Sequence, residues 1–300
     1  MANNIFTIAT RQYQADNFPL NKSHLPTTHN CLFALNYLGL IKVTGERASE
    51  FLQGQLTCDV HEVTPHTMQY GAQCNLKGRV LALMDVIACW GHYWLVLPKD
   101  LIPQTLTSLE KTAQLSRVTL EAVENIQVWG LHQAISSPSL PSLANNMLCN
   151  ENDCCYRLDE TYCIILNRND NFSLRLNAFN IQNKPYSEIF WHYLQLLKQR
   201  FTIYPETRGE FLPHRLNLQD TGAISFKKGC YKGQEIIARM QYLGKLKHEL
   251  NITTIQLNAP PELGKPLLNP ATGETLGEIV DYCPIDLNGE YLIAIITERS

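Results

Sequence analysis

The sequence predicts an α+β protein: a mixed body of strands and helices followed by a small all-β tail. Two observations carry this. Between residues 32 and 243, short strand-like apolar runs alternate with stretches of helical period, whereas beyond Gly244 only short strand-like runs and turns remain. With 300 residues, 45% of them hydrophobic, the chain is about two average domains long and can bury substantial cores. Gly244 therefore divides an α+β region over 1–243, read as two subdomains, from a tail over 244–300.

The elements follow in order. Leu32 to Val43 (LFALNYLGLIKV) reads as one strand, after which Thr44 is a candidate N-cap for a helix through Ala48, Phe51 and Leu52. Gln69 to Cys74, a polar turn at Asn75 to Gly78 and Arg79 to Cys89 read as a hairpin, and Tyr93 to Leu97 adds a third antiparallel strand. Leu101 to Leu115 has helical spacing, and Ser116 to Trp129 returns to short strand-like runs. Ser136 to Asn152, rich in Ser, Pro and Asn, reads as a loop. Strands resume at Tyr162 to Leu166 and Phe172 to Leu176, and Pro185 opens a helix through Ile189, Tyr193, Leu196 and Leu197. A short helix over Ile236 to Met240 ends before Gly244. The tail then reads as strands at Leu250 to Leu257, Pro260 to Gly264, Glu274 to Tyr282 and Tyr291 to Thr297.

Charge and targeting exclude several functions. Basic residues number 25 against 28 acidic ones, so only a local basic patch, not the overall balance, can favour a polyanion, and direct DNA binding is not expected. The first twenty residues lack the basic start and continuous apolar core of an export signal. The longest apolar stretch, Val80 to Trp90, is interrupted by Asp85 and is too short to cross a bilayer. The expected location is the cytoplasm, with no membrane partner.

Ten cysteines spread over so long a chain do not form a secreted disulfide framework. Cys31, Cys58, Cys74, Cys89 and Cys163 lie in apolar surroundings and read as core filler. Cys149, Cys154 and Cys155 cluster loosely, but without C-x-x-C or Cys/His spacing no metal site is expected. Trp90, Trp94, Trp129 and Trp191 read as core or core-edge aromatics, and His61, His66, His214 and His248 lack ligand spacing.

One stretch does suggest chemistry. In "KKGCYKGQE", Lys227 to Glu235, a turn bounded by Gly229 and Gly233 presents Cys230 and Tyr231 between an apolar run (Ala223 to Phe226) and a helix. A thiol near a helix N-terminus with Lys227, Lys228 or Arg239 close by favours its thiolate and becomes reactive. The bland alternative is a strand–turn–helix connection with solvated lysines and an inward-facing thiol. The stretch is not a phosphate loop, because Lys232 precedes Gly233 instead of following a second glycine.

Lys228-Gly229-Cys230-Tyr231-x-Gly233-Gln234-Glu235, followed by Arg239, resembles the signature of the YgfZ family of folate-binding proteins, relatives of the aminomethyltransferase (T-protein) of the glycine cleavage system. Asn217 to Gln219, Ile224 to Lys227, Phe51 to Val60 (FLQGQLTCDV) and Cys74 to Arg79 (CNLKGR) are similar to the same pattern, and the resemblance extends to Gly264-Lys265-Pro266 and Gly277 to Val280. It implies aminomethyltransferase-like modules in a ring, closed by a C-terminal β-barrel, with tetrahydrofolate in the central opening. It also implies a role in assembling or repairing [4Fe–4S] proteins, with client proteins or assembly factors as partners and a link to tRNA modification.

The same resemblance makes Cys230 and Lys228 the candidate functional pair, with Lys228 favouring the thiolate. Lys77 and Arg79 become candidate cations for folate carboxylates, and Tyr231, Gln234, Glu235 and Arg239 candidates to fix the loop or touch the ligand. Whether the protein is an enzyme stays open, with a maturation factor preferred. The runner-up, a folate-dependent aminomethyltransferase, needs a carboxylate for proton movement. Ala82 and Leu83 stand at the corresponding positions, and Asp85 is no secure substitute. A thiol-redox protein lacks a resolving cysteine nearby in sequence, and stable cluster binding lacks the usual four spaced cysteines.

Overall fold

The computed structural model describes residues 4–15, 18–134, 147–168, 181, 185–245 and 247–299. Strands β1 (Asn4–Ile8) and β2 (Arg11–Ala15) form a hairpin. On β2 the alternate residues Arg11, Tyr13 and Ala15 turn inward, as a half-buried strand requires. The Arg11 guanidinium grips both oxygens of Asp100 at 2.7 and 2.8 Å and donates to the Ile203 carbonyl at 2.9 Å, fastening this hairpin to the body.

The expected strand over Leu32 to Val43 is two strands in two sheets: β3 (Cys31–Ala34) and β4 (Leu38–Thr44). The chain breaks at Asn36, whose amide donates to the Glu188 carboxylate at 2.6 Å, and the Tyr37 carbonyl accepts from the Lys99 amide at 2.8 Å. The helix that follows, α1 (Ala48–Gln55), has Arg47 at its N-cap, three residues beyond the expected Thr44. As expected, β5 (Gln69–Cys74), β6 (Val80–Cys89) and β7 (His92–Pro98) form an antiparallel meander; β4 and β8 (Thr119–Val123) extend it to the order β5-β6-β7-β4-β8. Helix α2 (Ile102–Leu115) buries Thr105, Leu109 and Ala113 along one stripe.

A second antiparallel sheet runs in the order β10-β11-β12-β9-β3, from β9 (Gln127–His132), β10 (Met147–Cys149), β11 (Asp153–Arg157) and β12 (Tyr162–Asn167). Part of the expected loop, at its end, is thus strand β10; the expected strand at Phe172 to Leu176 lies outside the described residues. Helix α3 (Glu188–Leu197) begins three residues after Pro185 and lays Trp191 across β9, where only Gly130 leaves room: a Cβ there would meet the indole at 2.6 Å.

Helix α4 (Gln234–Leu243) leads into the tail. There β13 (His248–Gln256), β14 (Pro266–Leu268), β15 (Thr275–Pro284) and β16 (Glu290–Glu298) form a four-stranded sheet ordered β13-β16-β15-β14, with no pairing among the described residues that closes it into a barrel. The expected strand at Pro260 to Gly264 is a turn, and the short strand starts at Pro266. A bulge between Ile279 and Asp281 turns the Asp281 carboxylate into the core, where it accepts from the Thr202 amide and the Tyr204 hydroxyl, both at 2.9 Å. None of the described helices is long and apolar enough to cross a membrane.

Candidate functional site

Three stretches far apart in sequence, Phe51 to Val60, Cys74 to Arg79 and Lys227 to Glu235, meet in one place. The segment before the cysteine turn lies along the end of α1: the Ser225 amide donates to the Thr57 carbonyl at 2.9 Å, and the Lys232 amide to the Gly54 carbonyl at 3.0 Å. The Thr57 hydroxyl joins two elements, donating to the Ala223 carbonyl at 2.6 Å and accepting from the Ala72 amide at 2.9 Å. Lys228 is 8% exposed and donates to the carbonyls of Leu56 at 2.8 Å and Cys58 at 2.6 Å, with its ammonium 5.1 Å from the centre of the buried Tyr231 ring.

The hairpin tip closes the other side. The Asn75 side chain accepts from the amides of Lys77 at 2.9 Å and Arg79 at 3.0 Å, shaping the turn. Gly78 and Gly233, both at positive φ, touch back to back: a Cβ on Gly233 would sit 2.5 Å from the Asn75 carbonyl oxygen and 3.0 Å from the Gly78 Cα. Gly233 is also the N-cap of α4, so one residue sets the turn, the close approach and the helix start. Gly229 has neither a positive φ nor a neighbour within 4 Å of a Cβ, so the sequence expectation of a special backbone holds for Gly233 and not for Gly229.

On this frame Cys230 is exposed, while each of the other free thiols is buried. Burial pushes the neighbouring Cys58 and Cys74 thiols up to about 12, which keeps them protonated and inert. Lys228 does not turn toward Cys230: its ammonium faces inward onto two carbonyls, and Cys230 faces solvent. Of the other residues singled out, Tyr231 is buried beneath the turn, Gln234 is half-buried, and Glu235 and Arg239 are exposed on α4. Lys77 is exposed at the hairpin tip, and Arg79 donates to the Glu210 carbonyl.

Comparison with known proteins places this arrangement. A scan against protein-family models finds no match. Among curated proteins, the "tRNA-modifying protein YgfZ" of Colwellia psychrerythraea is 33% identical over 248 residues, covering 79% of this chain and 75% of that protein. The chain belongs to the YgfZ family. The protein of the same name from Klebsiella pneumoniae is 27% identical over 259 residues, covering 83% of this chain and 78% of its own length. Among solved structures, the glycine cleavage system aminomethyltransferase T from Bartonella henselae superposes with a TM-score of 0.73 at 15% identity, over 99% of this chain and 86% of that one. The fold is thus aminomethyltransferase-like, with mixed helices and several sheets.

This YgfZ-family chain has a second feature, assembled from residues far apart in sequence: a narrow cavity of about 90 Å³ between the two five-stranded sheets, α3 and the segment after it. Its walls include Tyr37, Tyr70, Leu83, Asp85, Gln195 and Arg200; none of the six residues expected to bind folate lines it. Leu83, Met84 and Asp85 of β6 all contribute to its wall. The Asp85 carboxylate is engaged, accepting from Arg200 at 3.0 Å and from the Tyr156 hydroxyl at 3.1 Å, and the Arg200 guanidinium stacks 4.4 Å from the centre of the Tyr70 ring. The Gln195 Nε2 is buried without a hydrogen-bond partner. The signal available in the sequence was Asp85 itself, a carboxylate inside an apolar strand.

Lys228 yields a prediction of its own. Lys228→Met leaves the Leu56 and Cys58 carbonyls without their donor, and a loss of about 1–3 kcal/mol is expected in chemical denaturation. Burial also lowers this lysine from 10.5 to about 8, with Cys58 and Asp59 offsetting part of the effect. The folded-state value lies below the unfolded one, so between about pH 8 and 10.5 the unfolded chain holds the extra proton at this site and the lysine's own contribution to stability rises with pH, against the opposite trend of the buried thiols above about pH 9. The difference between the parent and Lys228→Met stability profiles should therefore grow with pH across this window.

Proposed function

We propose that this YgfZ-family protein binds tetrahydrofolate and assists the assembly or repair of [4Fe–4S] proteins, with a link to tRNA modification, using Cys230 as its working thiol. The observation that carries this reading is the single exposed free thiol, set on a turn that is fixed by α1, the β5–β6 hairpin tip and the Gly233 N-cap. The relatives' name, tRNA-modifying protein YgfZ, supports the tRNA link. So does local charge: Lys227, Lys232, Arg239, Lys245 and Lys247 outnumber Glu235 in this stretch of a net-acidic chain, which favours an anionic partner.

The folate assignment rests on chemistry. At about 90 Å³ the cavity is smaller than a pterin ring and must widen to admit one; its aromatic and apolar walls, the Asp85 carboxylate as an acceptor and the unpartnered Gln195 amide as a donor would then surround the ring. Lys77, Arg79 and Arg239 lie outside the cavity and are assigned only to the carboxylates of the folate's glutamate tail, with Tyr231, Gln234 and Glu235 assigned to holding the loop. When bound, tetrahydrofolate supplies a reduced pterin able to carry one-carbon units. Lys228 acts by position, holding the turn so that Cys230 stays outward. Cys230 gives its proton to solvent, and its sulfur takes the position that a water ligand leaves on one iron of the client's cluster, as one ligand of a site shared with that client.

An aminomethyltransferase reading is not favoured. It needs a carboxylate free to manage a proton, whereas Ala82 and Leu83 occupy the corresponding positions and Asp85 is already held by Arg200 and Tyr156. The test is complementation. In a bacterial strain lacking its own family member, this chain should restore [4Fe–4S] enzyme activity and tRNA thiolation; expression of folded protein with neither restored would overturn the proposal.

A further inference from the structure

The end of β6 meets the β10–β11 hairpin at three sulfurs. Cys149 and Cys154, paired across that hairpin, form a disulfide, and the Sγ atoms of Cys89, Cys149 and Cys154 all lie within 4.8 Å of one another. A cross-strand staple needs two cysteines; the third, Cys89, comes from a different sheet and a distant part of the sequence, and makes this a ligand set. A tetrahedral ion bonded to sulfurs at about 2.3 Å places them about 3.8 Å apart, within reach of small side-chain rotations.

The surroundings hold the two sheets in register at this point. The Trp90 indole, in the turn after Cys89, donates to the Asn150 carbonyl at 2.7 Å, and the Asn150 side chain accepts from the amides of Asn152 at 2.9 Å and Asp153 at 2.8 Å. Burial pushes the Cys89 thiol up to about 12, and the Arg168 guanidinium, 4.9 Å from the centre of the Trp90 ring, offsets part of this, so the charge of a bound ion has to draw off the proton. Outer contacts of this kind orient ligands and balance the negative charge of a thiolate complex. Cys149 is half-buried, which leaves a path to solvent, while Cys89 and Cys154 are buried.

We propose that Cys89, Cys149 and Cys154 form a three-thiolate site for one zinc-class ion, which is closed by the Cys149–Cys154 disulfide and opened by its reduction. A dithiol reductant supplies two electrons and two protons and becomes a disulfide, while Cys149 and Cys154 become thiols. One Zn²⁺ then takes three thiolates, the three thiol protons leave to solvent, and water fills the fourth position. Thiolate ligands select soft ions, so zinc is the probe of choice and magnesium and calcium are not expected to compete. The site is separate from Cys230 and stands whether or not the folate reading does.

The full chain is reduced with a dithiol, freed of reductant without air, and titrated with Zn²⁺ against a chromophoric chelator; Co²⁺ is used in parallel to report thiolate coordination by its charge-transfer absorption. The reduced protein should take up one ion. Cys89→Ser and Cys149→Ser should each weaken binding by more than ~10-fold, Cys230→Ser should leave it unchanged, and the oxidised protein should bind none. Cys149 is only half-buried, so its variant is the one expected to keep the fold, checked by circular dichroism. Reduced protein that takes up no ion, or a folded Cys149→Ser protein that binds as tightly as the parent, would overturn the site.

Discussion

Cys230→Ala should lower the recovery of [4Fe–4S] enzyme activity in the complemented strain by at least ~100-fold, while the denaturation midpoint of the purified protein stays where it was. The two halves of this expectation have one cause. Cys230 is exposed, and nothing packs on it that its removal would leave empty, so the thiol contributes chemistry and not stability. The buried thiols behave in the opposite way. Cys58 sits with its sulfur 2.5 Å from where a Gly71 Cβ would be, so replacing it disturbs the contact between α1 and the sheet. Cys230→Ser should fail with Cys230→Ala, because a hydroxyl is a poor ligand for iron and a far weaker nucleophile. A Cys230→Ala protein that restored full activity would remove the thiol from the mechanism and leave the folate cavity standing.

Gly233→Ala is expected to be the most destabilising single-methyl change in the region, at about 2–4 kcal/mol. Three costs coincide. The residue holds φ at +86, where a Cβ is strained; the added carbon would lie 2.5 Å from the Asn75 carbonyl oxygen; and the clash involves backbone on both sides, which cannot swing away as a side chain can. Gly229→Ala is the matched control. Its backbone is outside the left-handed region and the space around it is open, so the change should stay within ~0.5 kcal/mol. Chemical denaturation of the pair reads the difference directly. Equal costs would mean that the turn does not depend on the contact between the cysteine loop and the hairpin tip.

Much of the site frame was legible because its elements are local. The period through Ala48, Phe51 and Leu52 marks α1, the polar Asn75 to Gly78 step marks the hairpin, and glycine before Gln234 marks the start of α4. What was not legible depends on contacts between distant residues. Leu32 to Val43 is mostly apolar, and its one interruption before Lys42, Asn36, does not announce that Glu188 will bind the Asn36 amide and split the run between two sheets. Asp85 and Arg200 lie 115 residues apart, so no spacing rule pairs them, although a lone carboxylate in an apolar strand already asks for a partner. Cys89, Cys149 and Cys154 read as core filler and a loose cluster for the same reason: the register between β6 and the β10–β11 hairpin brings them together. Lys228 is the reverse case. Its place beside Cys230 in sequence suggested direct action on the thiol, and the fold turns its ammonium inward to the end of α1.

The central claim is that this YgfZ-family chain holds a folate without acting as a transferase. Calorimetric titration of the purified protein with tetrahydrofolate, run beside an assay for one-carbon transfer from an aminomethyl donor, tests it most directly. The account predicts saturable binding, weakened by Gln195→Leu in the cavity, with no transfer above the uncatalysed rate. Absence of binding would contradict the folate assignment, and binding with rapid transfer would contradict the maturation role by making Asp85, despite its hold on Arg200 and Tyr156, a working acid–base group.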